Sequence, residues 1–307
     1  MVDFTLTDEQ QSMREMAHDF AEKEIRPVAW EYDRDGTWPQ TIIDKAWELG
    51  LMNNHFPVEY GGPGLGYFEG CIIEEELAWG CSGISTSVTC NGLATAPVLL
   101  AASEEIKKEY IGRLSEAPLL ASFCLTEPDA GSDVGAVRTK ATPAGDGTWR
   151  ITGQKIFITY GEHDMADNIV HLVLARVPDA PPGTRGISCF VVPKTLVGPD
   201  GVLGERNRVS CVSIEQKLGI HASPTCVLEF DQAEGYLIGE PNEGMRYMFT
   251  MMNNARLFVG VQGLAVASRA YQQAVAYRWH LPDAAAVRGW IAAYAEAFAP
   301  PAGRQPQ

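Results

Sequence analysis

The hydrophobic periodicity of this chain changes twice along its length. Up to about residue 118 apolar residues recur at helical spacing; from about 119 to 235 they form short β-branched or aromatic runs, and after Pro241 helical spacing returns. Helices that precede and follow a block of strands belong to separate layers or domains, because a parallel α/β sheet needs the two to alternate. The sequence therefore predicts an α+β, multidomain protein.

Helix-start and helix-stop residues place the first elements. Thr7 and Gln10 have the spacing of a capping box, and Pro39 fits the first turn of a helix that Gly50 ends. Ser103 is a natural N-cap, with two acidic residues in the turn that follows it. Further helices are predicted at about 67–79, 84–101 and 103–116.

The middle of the chain contains seven runs that are typical of short strands separated by turns. Gly153-Gln154 lies between two of them and fits a two-residue hairpin turn with glycine first. Strands this short and closely spaced favour a barrel or a sandwich. The runs are Leu119–Leu125, Trp149–Thr152, Lys155–Thr159, Ile169–Ala175, Gly186–Val192, Val209–Glu215 and Thr225–Phe230.

One long helix is predicted between Pro241 and about His280, a length of about 60 Å at 1.5 Å per residue. Its Met, Phe and Leu residues fall on more than one face, which predicts burial on most sides in a bundle or an oligomer. The remaining residues, 281–307, are rich in Ala and Pro.

The composition excludes several classes of partner. With 24 Lys+Arg against 39 Asp+Glu the net charge is −15, so no basic face is expected for nucleic acid or an anionic membrane. No stretch approaches the roughly 18 apolar residues of a membrane span, and the N-terminus does not resemble a secretory signal. Seven scattered Cys without a CxxC pair favour reduced thiols and a cytoplasmic location.

Several common chemistries lack their motifs. The Gly-rich stretch 61–66 does not satisfy GxGxxG and follows no predicted strand, so a turn between helices is the better interpretation. Neither a P-loop nor a GxSxG sequence is present. Glu162, His163 and Asp164 form the densest group of possible metal ligands, but they are contiguous in a predicted loop, so we expect a solvated loop and no metal site.

The stretch Phe123–Asp133 is unusual by local rules. It follows a predicted strand and places Thr, Gly and Ser in a turn that begins at Pro128. Backbone N–H groups and small hydroxyls in such a loop suit a flat ring or a phosphate, while a plain turn satisfies the same local features. The strand 152–159, with an aromatic residue and a threonine on one face, and the segment Asn253–Arg256 are two further candidate binding elements.

Taken together, these segments resemble the acyl-CoA dehydrogenase family over about residues 5–277. The motifs LTEPxAGSD and GxKxFIT occur in family order at Leu125–Asp133 and Gly153–Thr159, ahead of the arginine-bearing helix. Other matching segments are Ile25–Val28, Ala46–Met52, Tyr60–Gly66, Glu74–Ala78, Glu215–Ile220 and Leu237–Gly239. Residues 5–140 are most similar to medium-chain acyl-CoA dehydrogenases, and residues 148–277 to a branch that includes methylthiopropanoyl-CoA dehydrogenases.

The resemblance implies a domain order, a cofactor and partners. It predicts an N-terminal all-α domain (1–118), a middle β-barrel domain (119–235), the start of a C-terminal helical bundle (236–280) and a divergent tail (281–307). It also implies FAD as cofactor, α,β-dehydrogenation of an acyl-CoA as reaction, and a place in fatty acid metabolism. Electron-transfer flavoprotein is the implied electron acceptor, and a cytoplasmic homo-oligomer, a tetramer or a dimer, is the implied assembly.

Site residues follow from the motifs of the resemblance. Along the flavin it places Phe123, Leu125, Thr126, Phe157, Ile158 and Thr159, with Phe157 standing where the family often has Trp. Gly131 and Ser132 are expected at the flavin pyrophosphate, and Ser132 also at the CoA moiety. Asn253 and Arg256 are expected at the CoA portion of the substrate, and a salt bridge within the bundle is the alternative role for Arg256.

No catalytic base is predicted. The family carries its catalytic Glu either in the C-terminal bundle, beyond residue 307, or immediately before the arginine of the long helix, where this chain has Ala255. The similarity stops after Tyr277, which suggests a truncated, frameshifted or recombined end. Two hypotheses remain. The chain is a dehydrogenase by descent, or it is a non-catalytic protein, either a module that binds flavin or acyl-CoA or a remnant of the fold. Oxidation of acyl-CoA by oxygen is a third family chemistry, without a motif of its own here.

Overall fold

The computed structural model describes residues 5–163, 166, 168–198 and 201–278. By internal contacts the chain divides into two units, residues 1–265 and 266–307. The described elements are helices up to residue 116, strands from 120 to 238, and one C-terminal helix, which confirms the predicted α+β order.

The helices begin and end largely where the capping residues predict. Thr7 Oγ1 accepts a hydrogen bond from Gln10 N at 3.2 Å while Gln10 Oε1 accepts one from Thr7 N at 3.0 Å, so the capping box is formed. Ser103 Oγ accepts from Ile106 N at 3.4 Å. The helices are α1 (Asp8–Phe20), α2 (Ala29–Asp35), α3 (Gln40–Glu48), α4 (Tyr67–Gly80), α5 (Ser82–Thr89), α6 (Asn91–Ala101), α7 (Glu104–Ile106), α8 (Gly112–Glu116) and α9 (Gly244–Arg278). Single π-helical turns follow α1 and α7.

The helix predicted over 84–101 is two helices that meet at Cys90. Asn91 opens α6, and its side chain is tied to the sheet: Asn91 Oδ1 accepts from Ala121 N at 2.8 Å, and Asn91 Nδ2 donates to Leu119 O at 3.1 Å. These contacts over a distance of about thirty residues fix the direction of the chain at Cys90, and local periodicity does not reveal them.

The strands form one seven-stranded sheet in the order β1-β4-β5-β9-β3-β2, with β8 also paired to β9, and a separate β6–β7 pair. Ala141 N donates to Arg176 O at 2.8 Å and Arg176 N to Thr139 O at 2.9 Å, so β2 is joined to the end of β4 and the sheet closes on itself there. The strands are β1 (Leu120–Cys124), β2 (Lys140–Pro143), β3 (Trp149–Thr159), β4 (Ile169–Ala175), β5 (Ser188–Pro193), β6 (Thr195–Val197), β7 (Leu203–Arg206), β8 (Val209–Ile214) and β9 (Thr225–Ile238).

The hairpin predicted at Gly153-Gln154 is wrong. β3 runs through both residues as one strand, and Gly153 is paired with Phe230 of β9. The glycine is needed for close packing, since a Cβ at Gly153 would lie 2.5 Å from Thr139 Oγ1 and 2.9 Å from Thr139 Cα. A glycine inside a strand can therefore mark the close approach of a neighbouring segment rather than a turn.

Within residues 1–265 the apolar residues form three clusters. One lies among α1, α3, α4 and α5, one fills the interior of the sheet, and the third joins α6 and the start of α9 to β1, β4 and β5. The third cluster fixes α9 against the sheet and so positions the sites described below.

Helix α9 confirms the predicted long helix but not its burial on most sides. Met248 and Met251 are buried, whereas Leu257, Val259 and Leu264 are each more than half exposed.

By length and composition, Ser82–Ala101 is apolar enough to cross a membrane, with a mean hydropathy of 1.3. Half of that stretch is buried within the protein, as is usual for helices of a globular core.

Candidate functional site

Six of the eight predicted cofactor residues line one open cavity of about 390 Å³, here called the strand cavity. It lies where β1 and β3 end. The six residues are Phe123, Leu125, Thr126, Phe157, Ile158 and Thr159, and the wall is completed by Cys90, Leu93, Ala121, Ser122 and Tyr160. Two motifs that are separated in sequence therefore meet at one site.

A bulge in β3 shapes one wall of the strand cavity. Phe157 has a φ of 59°, and the register with β9 shifts between Lys155 and Ile158. Because of this shift Phe157 stands out from the sheet with 59% of its surface exposed, while the Ile158 side chain is buried in the sheet interior. Phe157 thus presents a ring at the cavity, and Ile158 contributes mainly through its backbone. Bulges commonly re-aim side chains at binding sites.

The loop after β1 is fixed to β3 by a buried ion pair. Lys155 Nζ lies 2.8 Å from Glu127 Oε1 and donates to Leu125 O at 3.0 Å, and the Lys155 side chain has no exposed surface. Glu127 also accepts from Thr139 N at 3.0 Å and Thr139 Oγ1 at 2.6 Å, and Ile156 N donates to Thr126 O at 2.9 Å. The Leu125–Glu127 backbone is therefore held in place before any ligand binds.

The Glu127–Lys155 pair links stability to pH. Burial alone would raise the pKa of the Glu127 carboxyl, but the charge and hydrogen bond of Lys155, with the donors around Thr139, outweigh it and lower that pKa below its ordinary value of 4.5. A carboxylate whose folded-state pKa is depressed stabilises the folded state above the unfolded-state value, and the contribution is lost as pH falls toward the folded-state pKa.

We expect a measurable consequence below about pH 4.5. The free energy of unfolding of the wild-type chain decreases as pH falls there, and part of that decrease comes from Glu127. Glu127→Gln lacks this part, so its free energy of unfolding falls less steeply between pH 5 and about pH 3. Urea titrations of both proteins across this range measure the difference, and parallel curves would contradict the role of Glu127.

Gly131 and Ser132 lie outside the strand cavity, in the exposed turn that follows Glu127. Glu127 N and Ala130 N each donate to the other residue's carbonyl oxygen at 3.1 Å, which closes this turn. A Cβ added at Gly131 would meet no atom within 4 Å, so the backbone there is open to close approach by a ligand.

A second, larger cavity of about 800 Å³ lies among helices α4, α6 and α9 and the segment Leu51–His55; we call it the helix cavity. It shares Cys90 and Leu93 with the strand cavity, so the two are neighbours. The surface of the helix cavity is largely apolar. The polar side chains among its described lining residues include Asn53, Asn54, His55, Glu74, Thr89, Asn254 and Gln262.

Only part of the predicted binding segment Asn253–Arg256 on helix α9 lines this cavity. Asn254 and Ala255 line it, whereas Asn253 and Arg256 are exposed and joined by a hydrogen bond of 3.3 Å from Arg256 Nη1 to Asn253 Oδ1. Since a helix turns by 100° per residue, four consecutive residues cannot share one face. The predicted CoA contacts of Asn253 and Arg256 thus require the part of a ligand that lies outside the cavity.

Sequence reasoning missed two titratable residues of the helix cavity. Burial lowers the pKa of the His55 imidazole to about 4, which leaves it neutral at pH 7. Glu74 is 2% exposed, and burial raises the pKa of its carboxyl even though it accepts hydrogen bonds from Ser85 Oγ at 2.9 Å and Gln262 Nε2 at 2.6 Å. The only signal for Glu74 was its place in a family segment.

Glu162 and His163 lie in a loop, as predicted, but their side chains are mostly buried and not solvated. Glu162 is paired with Lys194 and, at 2.9 Å, with Arg206, and His163 is stacked on Trp38 with ring centroids 5.1 Å apart. Asp164, the third member of this group, lies outside the described residues. These contacts give Glu162 and His163 a structural role.

The chain has an N-terminal helical domain, a middle sheet domain and a C-terminal helix, and the two cavities lie where these parts meet. This arrangement is typical of one class of protein. Residues 7–117 match the acyl-CoA dehydrogenase N-terminal domain, and residues 122–233 match the acyl-CoA dehydrogenase middle domain. The chain belongs to the acyl-CoA dehydrogenase family.

Individual relatives agree with this assignment. Over 243 residues the chain is 47% identical to 3-methylmercaptopropionyl-CoA dehydrogenase of Ruegeria pomeroyi, covering 78% of this chain and 40% of that protein. A structure of electron transferring flavoprotein of Acidaminococcus fermentans has a TM-score of 0.82 and 32% identity, and the match covers 92% of this chain and 71% of that one. The structure of butyryl-CoA dehydrogenase from Megasphaera elsdenii has a TM-score of 0.78 and 31% identity, and the match covers 90% of this chain and 70% of that one. Among the curated relatives that it matches, including the Ruegeria pomeroyi enzyme, the chain spans 30–40% of the relative's own length.

Proposed function

We propose that this chain binds FAD in the strand cavity and the acyl group of an acyl-CoA in the helix cavity, in support of α,β-dehydrogenation. One observation carries the proposal: six residues from the stretch Phe123–Asp133 and the strand 152–159 line a single cavity that shares Cys90 and Leu93 with a larger apolar one. Neighbouring cavities of this kind allow a cofactor ring and an acyl chain to lie in contact.

The strand cavity has the chemistry that a flavin ring requires. Phe157 offers an aromatic wall, and Thr126 and Thr159 offer hydroxyls and backbone groups to a polar ring edge. The buried Lys155–Glu127 pair keeps these groups in place, so little ordering is needed on binding. When bound, the flavin supplies the acceptor for the hydride that leaves the acyl chain. Gly131 and Ser132 would meet the pyrophosphate at the open turn beyond the cavity.

The helix cavity suits the acyl group. Apolar side chains such as Leu93, Met251 and Phe258 exclude water from the chain that they surround. Short acyl thioesters are the first substrates to test, because the relatives named above are 3-methylmercaptopropionyl-CoA and butyryl-CoA dehydrogenases. Asn253 and Arg256, exposed on α9, would meet the CoA part outside.

One observation favours the second candidate, a binding module without catalysis. Ala255 lines the helix cavity at the position where some family members carry their base, and alanine cannot accept a proton. Among the described lining residues Glu74 is the one carboxylate, and it bonds to Gln262, two helical turns beyond Ala255. Removal of an α-proton by this chain therefore needs a group other than Ala255.

Flavin spectroscopy separates the two candidates. The chain is purified with FAD, freed of unbound flavin, and its absorbance near 450 nm is followed while butyryl-CoA or 3-methylmercaptopropionyl-CoA is added without oxygen. A catalytic chain binds flavin and is bleached, and a binding module binds flavin and keeps its colour. A chain that retains no flavin under any of these conditions would overturn the proposal.

Thr159→Val tests the strand cavity directly. Valine keeps the shape of threonine but removes the hydroxyl, so we expect the dissociation constant for FAD to rise about tenfold, as for the loss of one hydrogen bond. Titration of the apoprotein with FAD, followed by fluorescence, measures the change. Thr152→Val on the same strand is the matched control, because Thr152 does not line the cavity and should leave the affinity unchanged. Equal affinities for all three proteins would count against the assignment.

The partners and the assembly are part of the same proposal. The exposed apolar residues of α9, among them Leu257, Val259 and Leu264, support association with other helices in a homo-oligomer. The likeness to a solved electron transferring flavoprotein supports a flavoprotein as electron acceptor. We also propose a cytoplasmic location and the domain limits 1–118, 119–235, 236–280 and 281–307. Light scattering of the purified chain tests the oligomer.

A further inference from the structure

One buried carboxyl group, that of Glu74, lies in the wall of the helix cavity. Glu74 of α4 accepts hydrogen bonds from Ser85 of α5 and Gln262 of α9, both at Oε1, and its side chain lines the cavity. Thr89 also hydrogen-bonds to this carboxyl group, and since a carboxylate has about four acceptor positions, the three donors leave acceptor capacity for a ligand.

Helices α4 and α9 run side by side at this point. Gly70 faces Phe258, where a Cβ on the glycine would lie 3.2 Å from the ring, and one turn later Glu74 bonds to Gln262. Gln262 lies seven residues after Ala255, about 10 Å along the helix. The carboxyl group therefore lies about two helical turns from Ala255, at the depth that the far end of an acyl chain bound beside Ala255 would reach.

No positive charge compensates Glu74 from within the cavity. The described lining residues include neither lysine nor arginine, and the imidazole of His55 is neutral at pH 7 because burial lowers its pKa to about 4. Cys90 is also neutral, since burial first and the nearby Glu74 charge second raise the pKa of its thiol to about 12. A carboxyl group buried without a cation is costly unless hydrogen-bond donors reach it.

We propose that Glu74 and Gln262 select acyl groups whose far end carries a hydrogen-bond donor, such as a hydroxyl, over plain hydrocarbon chains of the same length. The inference rests on the proposed acyl-binding function of the helix cavity. A donor at the end of the chain satisfies the carboxyl group, whereas a methyl group covers it without a bond, which costs free energy. Glu74 is thus a residue that determines specificity, with Gln262 positioning it.

Matched pairs of CoA thioesters test this selection without requiring turnover. Butyryl-, hexanoyl- and octanoyl-CoA are compared with their ω-hydroxy counterparts by isothermal titration of the flavin-loaded chain. Three chain lengths are used because the side chains of Glu74 and Gln262 can extend toward Ala255. The acyl length that reaches the carboxyl group can therefore be shorter than the distance along the helix. We expect the hydroxylated member to bind about tenfold more tightly at the length that reaches Glu74.

Variants separate selection from a purely structural role. Glu74→Met removes the carboxyl group and should abolish or invert the preference, while Glu75→Met, the same change one residue later and outside the cavity lining, should keep it. If Glu74→Met does not fold, the wild-type comparison alone decides. Equal affinities within every pair would overturn the selection while the acyl-binding function stands. Absence of binding by all six thioesters would instead overturn the proposed function.

Discussion

Lys155→Met should be the most damaging single substitution at the strand cavity. It leaves the Glu127 carboxylate buried without its cation, and breaking a buried pair in this way costs about 3–5 kcal/mol. Because Lys155 also donates to Leu125 O, the loop that carries Leu125 and Thr126 loses its anchor as well. Urea unfolding should show the lower free energy of unfolding, and FAD titration a weaker affinity.

A matched substitution at an exposed pair provides the control. Arg138 lies 3.0 Å from Asp129, with 76% and 65% of the two side chains exposed, so Arg138→Met should change stability far less. The double variant Lys155→Met/Glu127→Gln removes the buried charge and should recover part of the loss. Similar losses for Lys155→Met and Arg138→Met would show that the buried pair has no special role.

Ala255→Glu should give the largest gain in chemistry. It places a carboxylate in the helix cavity, at the alternative position of the family base, and a well-placed general base accelerates proton removal by about 10²–10⁴-fold. The rate of flavin bleaching by an acyl-CoA, measured anaerobically in a stopped-flow instrument, should rise within this range. The carboxylate also raises the cost of folding, because no cation lines the described part of the cavity.

Ala255→Gln is the control for this gain. Glutamine has nearly the same size as glutamate but does not accept a proton, so the flavin should bleach no faster than in the wild-type chain. If Ala255→Glu binds flavin and acyl-CoA yet bleaches no faster than Ala255→Gln, the carboxylate at this position is not sufficient. That outcome would favour the non-catalytic binding module.

Local rules predicted the elements whose causes are local. The capping box of Thr7 and Gln10 depends on residues three apart, and Ser103 caps its own helix, so both follow from the sequence. The long helix after Pro241 was also correct in position, since α9 covers Gly244–Arg278. The segregation of helices and strands was enough to predict the fold class.

The wrong predictions concern elements whose structure depends on residues that are distant in the sequence. The hairpin at Gly153 failed because Thr139 of a neighbouring segment, not a turn, requires the glycine. The side chain of Asn91, which breaks the helix predicted over 84–101, bonds to the backbone of β1. Hydrophobic periodicity does not indicate such contacts, because it indicates only which face of a segment is buried.

The candidate site shows the same division. Thr126 and Thr159 were predicted from two family motifs, and both line one cavity. The motifs identified them because residues that share a binding site form part of a family pattern. The bond between Glu74 and Gln262 joins residues far apart in the chain, and no pattern in the sequence points to it. Arg256 is exposed on α9 while Asn254 and Ala255 line the helix cavity, so its contact with the CoA part stays a prediction.

The long strand β9 sets the order in which the protein can assemble. Thr159 is paired with Thr225 and Ile158 with Cys226, while the other end of β9, at Tyr236–Ile238, pairs with β5. Synthesis proceeds from the N-terminus, and distant pairings pay the entropy of closing long loops. A nascent chain that ends before Thr225 contains both motifs that line the strand cavity but lacks the strand that pairs with Ile158 and Thr159. We therefore expect the strand cavity to form late in synthesis, after β9 has left the ribosome.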